Sequence, residues 1–316
     1  MKNYITTTAL SFLLLILGPA VGTALAQPGN GREPPKPTLP VLHRTAPPNK
    51  RASSGIKGST GPTLGQQVDE AIEKGTRALD AKNYTEAEAQ YRHALLLDPK
   101  KQIGYYGLGC VFYYQARYDE AITAYKEAVE LKPDHTNSHY ALGLSYEQKG
   151  RWAESIEEFK AAIRLKPDYA EAYNGLGDVY DEQEHYTEAI PAYKKAIELD
   201  PRNASWYGKL GDAYYGQGHY SEAIEVYKKA IELDPRNASW YGQLGDAYYG
   251  QGHYSEAIEV YKKAIELDPK PAETHYDLGL AYLKTNNKTS AMEQYEALKN
   301  MKSDYADELL SEINKH

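Results

Sequence analysis

Three histidines recur at intervals of 34 residues, at His185, His219 and His253. Imidazole is a common zinc ligand, so this ladder first suggests a metal site. Zinc holds its ligands at about 2.1 Å, whereas packed helices lie about 8 to 10 Å apart. If each histidine belongs to a separate packed unit, the three cannot converge on one ion. We therefore expect polar turn residues, and neither a metal nor any other cofactor.

The sequence also has none of the residue spacings typical of catalysis. It contains no His-Glu-x-x-His or Gly-x-Ser-x-Gly motif, and no dinucleotide-binding glycine pattern after a strand. Its paired carboxylates, such as Glu198 with Glu232, recur at the same 34-residue interval and are expected on solvated surfaces. We predict that the protein is not an enzyme and has no catalytic residues.

Charge and cysteine content exclude two further classes. The chain has 44 acidic and 36 basic residues. Residues 27–66 hold six of the basic residues and one glutamate, so the remainder of the chain is strongly acidic and would repel nucleic acid. The single cysteine, Cys110, excludes a disulfide framework and is expected to be a buried free thiol.

The elements that must position these residues are repeats. Residues 198–231 and 232–265 are identical except for Lys209 in the first copy and Gln243 in the second. Two near-identical copies must adopt one fold and stack on each other. The same period continues outward through prolines at Pro99, Pro133, Pro167, Pro201, Pro235 and Pro269. It defines seven units, which begin at Val68, Gln102, Thr136, Ala170, Ala204, Ala238 and Ala272.

Each unit is predicted to be a pair of helices. Leu210 and Tyr214 have helical spacing, residues 216–218 interrupt the pattern, and Ala223 and Tyr227 resume it on a second helix. Every unit also has glycine at its eighth place, counted from its first residue. Glycine costs about 1 kcal/mol inside a helix relative to alanine, so its recurrence indicates close helix contact. Such a hairpin needs its neighbours to bury its apolar face.

These residues resemble the tetratricopeptide repeat (TPR) family. The residues that match its pattern in one unit are Tyr207, Leu210, Gly211, Tyr214, Ala223, Tyr227, Ala230 and Pro235. The resemblance covers residues 67–303, with less regular first and last units. It implies an all-α fold, a right-handed α-solenoid of seven TPR hairpins, in which the first helices line a concave groove for a peptide or protein.

The resemblance also assigns groove positions, since the second, fifth, ninth and twelfth places of TPR units usually face the ligand. The principal groove residues would be Tyr106, Tyr113, Tyr140, Asn174, Asp178, Asp212, Tyr215, Asp246, Tyr249 and Tyr276. The same places carry Cys110, Leu144, Glu147, Asp181 and Leu280. TPR domains that clamp a carboxylate use asparagine at the ninth place, where this chain has aspartates. We therefore expect a basic or Tyr/Pro-containing segment. The alternative is that the tyrosines mostly pack between helices.

The two ends of the chain are predicted to differ from the repeats. Residues 1–26 have Lys2, an apolar run and an Ala24-Leu25-Ala26 site, which is typical of a signal peptide, with an uncleaved anchor as the alternative. Residues 27–66, rich in proline and basic residues, predict a disordered linker that is either a spacer, a tether to an anionic surface or a strand bound to the acidic body. Residues 304–316 predict a helix that caps the last hairpin. The apolar residues of its covering face would be Ala306, Leu309, Leu310 and Ile313.

We therefore expect an exported, periplasmic or extracellular scaffold that binds other proteins. Membrane contact would occur only through an uncleaved signal or the basic linker. One alternative is a structural envelope protein that forms homo-oligomers by stacking its repeats. A third, less favoured interpretation is an accessory subunit of an envelope enzyme.

Overall fold

The computed structural model describes residues 61–315, and the chain is α-helical throughout this part. The predicted signal peptide and all but the last six residues of the predicted linker lie outside the described residues. The helices pair as α1 (Leu64–Asp80) with α2 (Tyr84–Leu97), α3 (Gln102–Tyr114) with α4 (Tyr118–Leu131), α5 (Thr136–Gln148) with α6 (Trp152–Leu165), α7 (Ala170–Asp181) with α8 (Tyr186–Leu199), α9 (Ala204–Gly216) with α10 (Tyr220–Leu233), α11 (Ala238–Gly250) with α12 (Tyr254–Leu267), and α13 (Ala272–Lys284) with α14 (Lys288–Asn300). A last helix, α15, spans Tyr305–Lys315.

The predicted unit starts coincide with the first residues of α3, α5, α7, α9, α11 and α13. The first unit differs, because α1 begins at Leu64, within the predicted linker. Thr63 and Gln66 form a capping box there: Thr63 Oγ1 accepts from the Gln66 amide at 3.3 Å, and Gln66 Oε1 accepts from the Thr63 amide at 2.7 Å. These bonds satisfy backbone groups that would otherwise be unpaired, and they extend the helix by one turn.

The recurring glycines permit close packing of the two helices in each hairpin. A Cβ atom on Gly211 would lie 2.4 Å from the ring of Tyr227, and one on Gly245 would lie 2.4 Å from the ring of Tyr261. In the first six hairpins, an aromatic side chain of the second helix therefore lies directly against the glycine of the first helix. Tyr227 and Tyr261 are almost completely buried in this position.

The first helices form the inner face of the array. Each first helix contacts the first helix of the next hairpin, as α7 contacts α9 and α9 contacts α11, whereas the second helices of successive described hairpins do not contact one another. When stacked units lie nearer to one another along one edge than along the other, the stack curves toward the edge where they are nearer. The first helices therefore line the concave side, which we call the groove.

Helix α15 covers the end of the array. Ala306, Leu309 and Ile313 are buried, and Leu309 lies against Gly279 of α13. Leu310 was predicted on the same face but is only half-buried. No helix among the described residues is both long and apolar enough to cross a membrane.

Candidate binding groove

The histidine ladder lies at the ends of the second helices and not in the groove. His185, His219 and His253 each immediately precede the second helix of their hairpin, α8, α10 and α12. Across residues 61–315, no group of histidine, cysteine and carboxylate side chains is arranged to hold a metal ion. The groove must therefore be considered through its carboxylates and tyrosines.

Three aspartates at the ninth place form a row along α7, α9 and α11. Each accepts a hydrogen bond from the tyrosine that packs on the neighbouring eighth-place glycine. The hydroxyls donate from Tyr193 to Asp178 at 2.9 Å, from Tyr227 to Asp212 at 2.8 Å, and from Tyr261 to Asp246 at 2.7 Å. The same buried ring thus fills the hairpin and orients a carboxylate toward the groove.

The sixth place of the following unit lies opposite Asp178 and Asp212. Lys209 Nζ donates to both carboxylate oxygens of Asp178, at 2.7 and 2.6 Å. Gln243 Nε2 donates to Asp212 Oδ1 at 2.6 Å. The one substitution between the duplicated units therefore changes the charge of the donor opposite an aspartate. Sequence reasoning noted this difference but did not assign it to the groove, although its position in otherwise identical copies was the available signal.

Two more carboxylates, Glu147 and Asp181, line the groove at the twelfth place. Burial raises the pKa of Glu147 to about 8, and the charge of Asp178 contributes to the shift. Burial likewise raises the pKa of Asp181 to about 7, with contributions from Asp212 and Asp178. Within the described chain, Glu147 Oε2 and Asp181 Oδ1 are buried oxygens without a hydrogen-bond donor.

Two side-chain amide oxygens beside these carboxylates are also buried without a hydrogen-bond donor in the described chain. Asn174 is only 8% exposed, and its Nδ2 donates to Asp178 Oδ2 at 2.9 Å, yet its Oδ1 has no donor in the described part of the chain. Gln243 Oε1 is also buried without one. The groove therefore has buried acceptors in excess of its donors.

The tyrosines assigned to the first half of the groove are buried in the structure. Tyr106 packs against Tyr125, with ring centroids 5.7 Å apart, and Tyr140 against Tyr169, at 5.0 Å. Tyr113 is likewise enclosed by core residues. Cys110 and Leu144, at the ninth place of their units, are also buried, and burial raises the pKa of the Cys110 thiol to about 12. In this half, aromatic packing between helices leaves none of these side chains on the groove surface.

The second half of the groove retains accessible aromatic rings. Tyr215 is 39% exposed, and Tyr249, Tyr276 and Leu280 are half-buried. Burial raises the pKa of Tyr215 and of Tyr249 to about 12, and the negative charge of Asp277 contributes to both shifts. Tyrosines and carboxylates are thus close neighbours here. The structure brings together the assigned residues from Asn174 to Tyr276, with Glu147 beside them.

Three family models match the chain, and together they cover residues 72–170 and 177–305. A TPR repeat model matches residues 177–218, 211–252 and 245–286, and tetratricopeptide repeat models match residues 72–136, 106–170 and 272–305. The chain belongs to the tetratricopeptide repeat family. TPR units in general mediate protein or peptide binding, so the chain is a protein-interaction scaffold.

Solved TPR structures resemble this chain over most of their own length. A MamA protein is 33% identical, with 54% of this chain and 94% of that chain covered and a TM-score of 0.51. The C-terminal part of a TPR protein from Cytophaga hutchinsonii has a TM-score of 0.66 at 18% identity, with 76% and 99% covered. YrrB, described as a TPR protein with an unusual peptide-binding site, has a TM-score of 0.53 at 22% identity, with 58% and 95% covered. The last two likenesses concern the fold alone. No curated protein sequence matches the chain at a significant level.

Proposed function

We propose that this TPR protein is a non-enzymatic scaffold outside the cytoplasm, which binds an extended basic or Tyr/Pro-containing segment of another protein in its groove. The observation that carries the proposal is the excess of buried acceptors in the groove. Glu147, Asn174 and Asp181 each hold a buried oxygen without a donor among residues 61–315. A buried polar group without a partner costs free energy, so a ligand that supplies N–H or O–H donors stabilises this surface.

The negative charge of the groove selects among possible ligands. Asp178, Asp212 and Asp246 occupy the ninth place of three successive units, and Asp178 forms an ion pair with Lys209. A ligand carboxylate placed here would meet the negative charge of these aspartates. A lysine or arginine side chain would instead form charge-assisted hydrogen bonds. Exposed tyrosine at Tyr215 adds a surface for cationic, tyrosine or proline side chains.

Peptide titration tests this assignment. The probes are two N-acetylated, C-amidated peptides of glycine, serine, proline and tyrosine, one carrying lysine and arginine and the other glutamate at the same positions. We expect the basic peptide alone to bind the chain from Gln27, and added salt to weaken it because screening acts on exposed charges. Equal binding of both peptides, or of neither, would contradict the proposal.

A matched pair of double variants locates the binding surface. Asp212→Asn with Asp246→Asn removes two groove charges and keeps an acceptor for Tyr227 and Tyr261. Asp200→Asn with Asp234→Asn removes two exposed charges from the same two copies, residues 198–231 and 232–265, outside the first helices. We expect the groove pair to weaken the basic peptide about tenfold or more and the control pair to leave it unchanged. Wild-type affinity in the groove pair would refute the acidic groove.

Export is supported by the pattern of residues 1–26, with Lys2, an apolar run and a small-residue site at its end. The test is fractionation of the native cells followed by N-terminal sequencing of the recovered protein. We expect an N-terminus at Gln27 in the periplasmic or extracellular fraction. A protein that retains Met1 and remains in the cytoplasm would contradict this part of the proposal.

A further inference from the structure

Two successive rungs of the groove carry a donor that the chain itself supplies. A rung is defined here as the ninth-place aspartate of one unit with the sixth-place residue of the next. In the first rung, the Lys209 ammonium lies within 2.7 Å of both oxygens of Asp178, and both side chains are largely buried. In the second rung, the Gln243 amide donates to Asp212. The first rung shows that this geometry accommodates an ammonium group.

The third rung has a carboxylate where the others have a donor. Asp277 occupies on α13 the sixth place that Lys209 and Gln243 occupy on α9 and α11, and the charge of Asp246 on α11 contributes to the raised pKa of Asp277. Asp246 accepts from Tyr261, whereas none of residues 61–315 donates a hydrogen bond to the Asp277 carboxylate or forms an ion pair with it. The formal charge of the rungs thus changes from zero in the first to minus one in the second and minus two in the third. The third rung therefore places two carboxylates together where the first rung has a carboxylate and an ammonium group.

Tyrosines surround this third rung. Tyr215 is exposed on α9, Tyr249 follows on α11, and Tyr276 on α13 stacks on Tyr305 of α15 with ring centroids 5.1 Å apart. Burial is the main cause of the raised pKa of Tyr215, Tyr249 and Tyr276, and the charge of Asp277 contributes in all three. The rings therefore lie within electrostatic range of the unpaired carboxylate. Tyrosine faces attract cations and pack against the methylene stem of a lysine.

We propose that Asp246 and Asp277 form a subsite for one lysine ammonium of the bound segment, with the rings of Tyr215, Tyr249 and Tyr276 beside its stem. The partner's lysine would take the position that Lys209 takes in the first rung. This inference rests on the proposed function, because it specifies one contact of the same groove. It distinguishes this rung from the rest of the acidic row, where the chain supplies its own donors.

The empty subsite is expected to hold a proton. Burial raises the pKa of Asp246 to about 7, with Glu273 and Asp212 contributing, while burial and the charges of Asp246 and Glu273 raise the pKa of Asp277 well above its usual range. The ionisable groups that interact electrostatically with the rung or with the tyrosines beside it are Asp212 and Tyr215 on α9, Tyr249 on α11, Tyr261 on α12, Glu273 and Tyr276 on α13, and Tyr305, Glu308 and Glu312 on α15. None of these groups is cationic. An arriving ammonium favours the ionised carboxylates, so binding should release protons and tighten as pH rises toward 8.

The ligand side of the test compares two peptides. Both are N-acetylated, C-amidated segments of glycine, serine, proline and tyrosine, one with a single lysine and the other with norleucine, which has a similar stem without the ammonium. We expect the lysine peptide to bind the chain from Gln27 at least about tenfold more tightly, with proton release measured by calorimetry in buffers of different ionisation enthalpy. Equal affinity of the two peptides would overturn the subsite.

The protein side of the test supplies a donor at the third rung. Asp277→Lys should place an ammonium group on Asp246 as Lys209 does on Asp178. We expect this ion pair to raise the thermal midpoint of the protein. We also expect the variant to bind the lysine and norleucine peptides equally. Asp277→Asn, a smaller change, should weaken the lysine peptide without that ion pair. The control Glu259→Lys makes the same charge change on α12, where the glutamate side chain is 77% exposed, and should leave peptide binding as in the wild type.

Three results would separate the subsite from the groove as a whole. Salt-sensitive binding of the lysine peptide that Asp277→Lys and Asp277→Asn both leave intact would overturn the subsite and leave the acidic groove standing. A fall in thermal midpoint for Asp277→Lys would show that the third rung does not share the geometry of the first, and would also overturn it. Absence of any basic-peptide binding to the wild type would refute the groove proposal.

Discussion

The duplicated units offer a matched pair of glycines with different surroundings. Gly208 and Gly242 both occupy the fifth place of a first helix, and the copies that contain them, residues 198–231 and 232–265, differ only at the sixth place. A Cβ atom on Gly208 would lie 2.3 Å from Cζ3 of Trp240 in the next hairpin. A Cβ atom on Gly242 would meet only Thr274 Oγ1, at 3.9 Å, which is an ordinary contact. Alanine at the two positions should therefore have opposite effects.

The expected magnitudes follow from two competing terms. Replacing a helical glycine by alanine stabilises the helix by about 1 kcal/mol. At Gly242 nothing opposes this gain, so Gly242→Ala should raise the free energy of unfolding by about that amount. At Gly208 the Trp240 ring must move, and overpacking of this kind costs about 1 to 3 kcal/mol. Gly208→Ala should therefore range from neutral to about 2 kcal/mol less stable.

Urea unfolding followed by far-ultraviolet circular dichroism measures both variants against the wild type. Tryptophan fluorescence should also change in Gly208→Ala, because Trp240 is the residue displaced, and should remain unchanged in Gly242→Ala. Equal stability of the two variants would refute the reasoning, since it would mean that the Trp240 ring does not pack on Gly208. The comparison is internal to one protein, so differences in helix propensity cancel.

Two further predictions concern pH and the end of the array. Raising the pH from about 5 to about 8 should lower the thermal midpoint. The pKa values of Glu147 and Asp181, about 8 and about 7, lie above those of the same groups in the unfolded chain. In this pH range the native state therefore holds protons that the unfolded chain has released, so rising pH favours unfolding. Glu147→Gln should make this fall shallower, and an unchanged slope in the variant would contradict the cause given. Leu309→Ala should destabilise the protein by about 2 to 5 kcal/mol, because it empties a buried site against Gly279. The exposed neighbour Glu308→Ala should change stability by no more than about 0.5 kcal/mol, and comparable losses in both variants would exclude a capping role for α15.

The sequence alone determined the architecture of the repeats. Proline every 34 residues ends each unit because it lacks the N–H that continues a helix, and the first helices from Gln102 onward begin where this period places them. The recurring glycine correctly indicated close helix contact, because the lack of a Cβ atom at one position can be read directly from the sequence. The start of α1 at Leu64 was missed, although Thr63 and Gln66 had the spacing of a capping box.

The register of the repeats places the proposed groove residues at equivalent positions of the first helices, but it does not determine their exposure. Tyr113 and Tyr215 occupy the same twelfth place, yet Tyr113 is buried and Tyr215 is 39% exposed. The following unit presents Tyr140 at its fifth place in the first case and Gly242 in the second. Exposure depends on the volume that a neighbouring repeat brings against a side chain, which is not a property of the unit itself.

The charge of the groove was likewise decided between units. The sequence placed aspartates at the ninth place of three repeats, and it showed Lys209 and Gln243 as the one difference between two copies. Only the stacked structure brings Lys209 onto Asp178 and the charge of Asp246 within range of Asp277. Periodicity fixes which residues share a helix face, because it acts through local backbone geometry. Pairing across 31 residues depends on how closely successive hairpins pack, and that distance is set by the buried rings and glycines of the whole array.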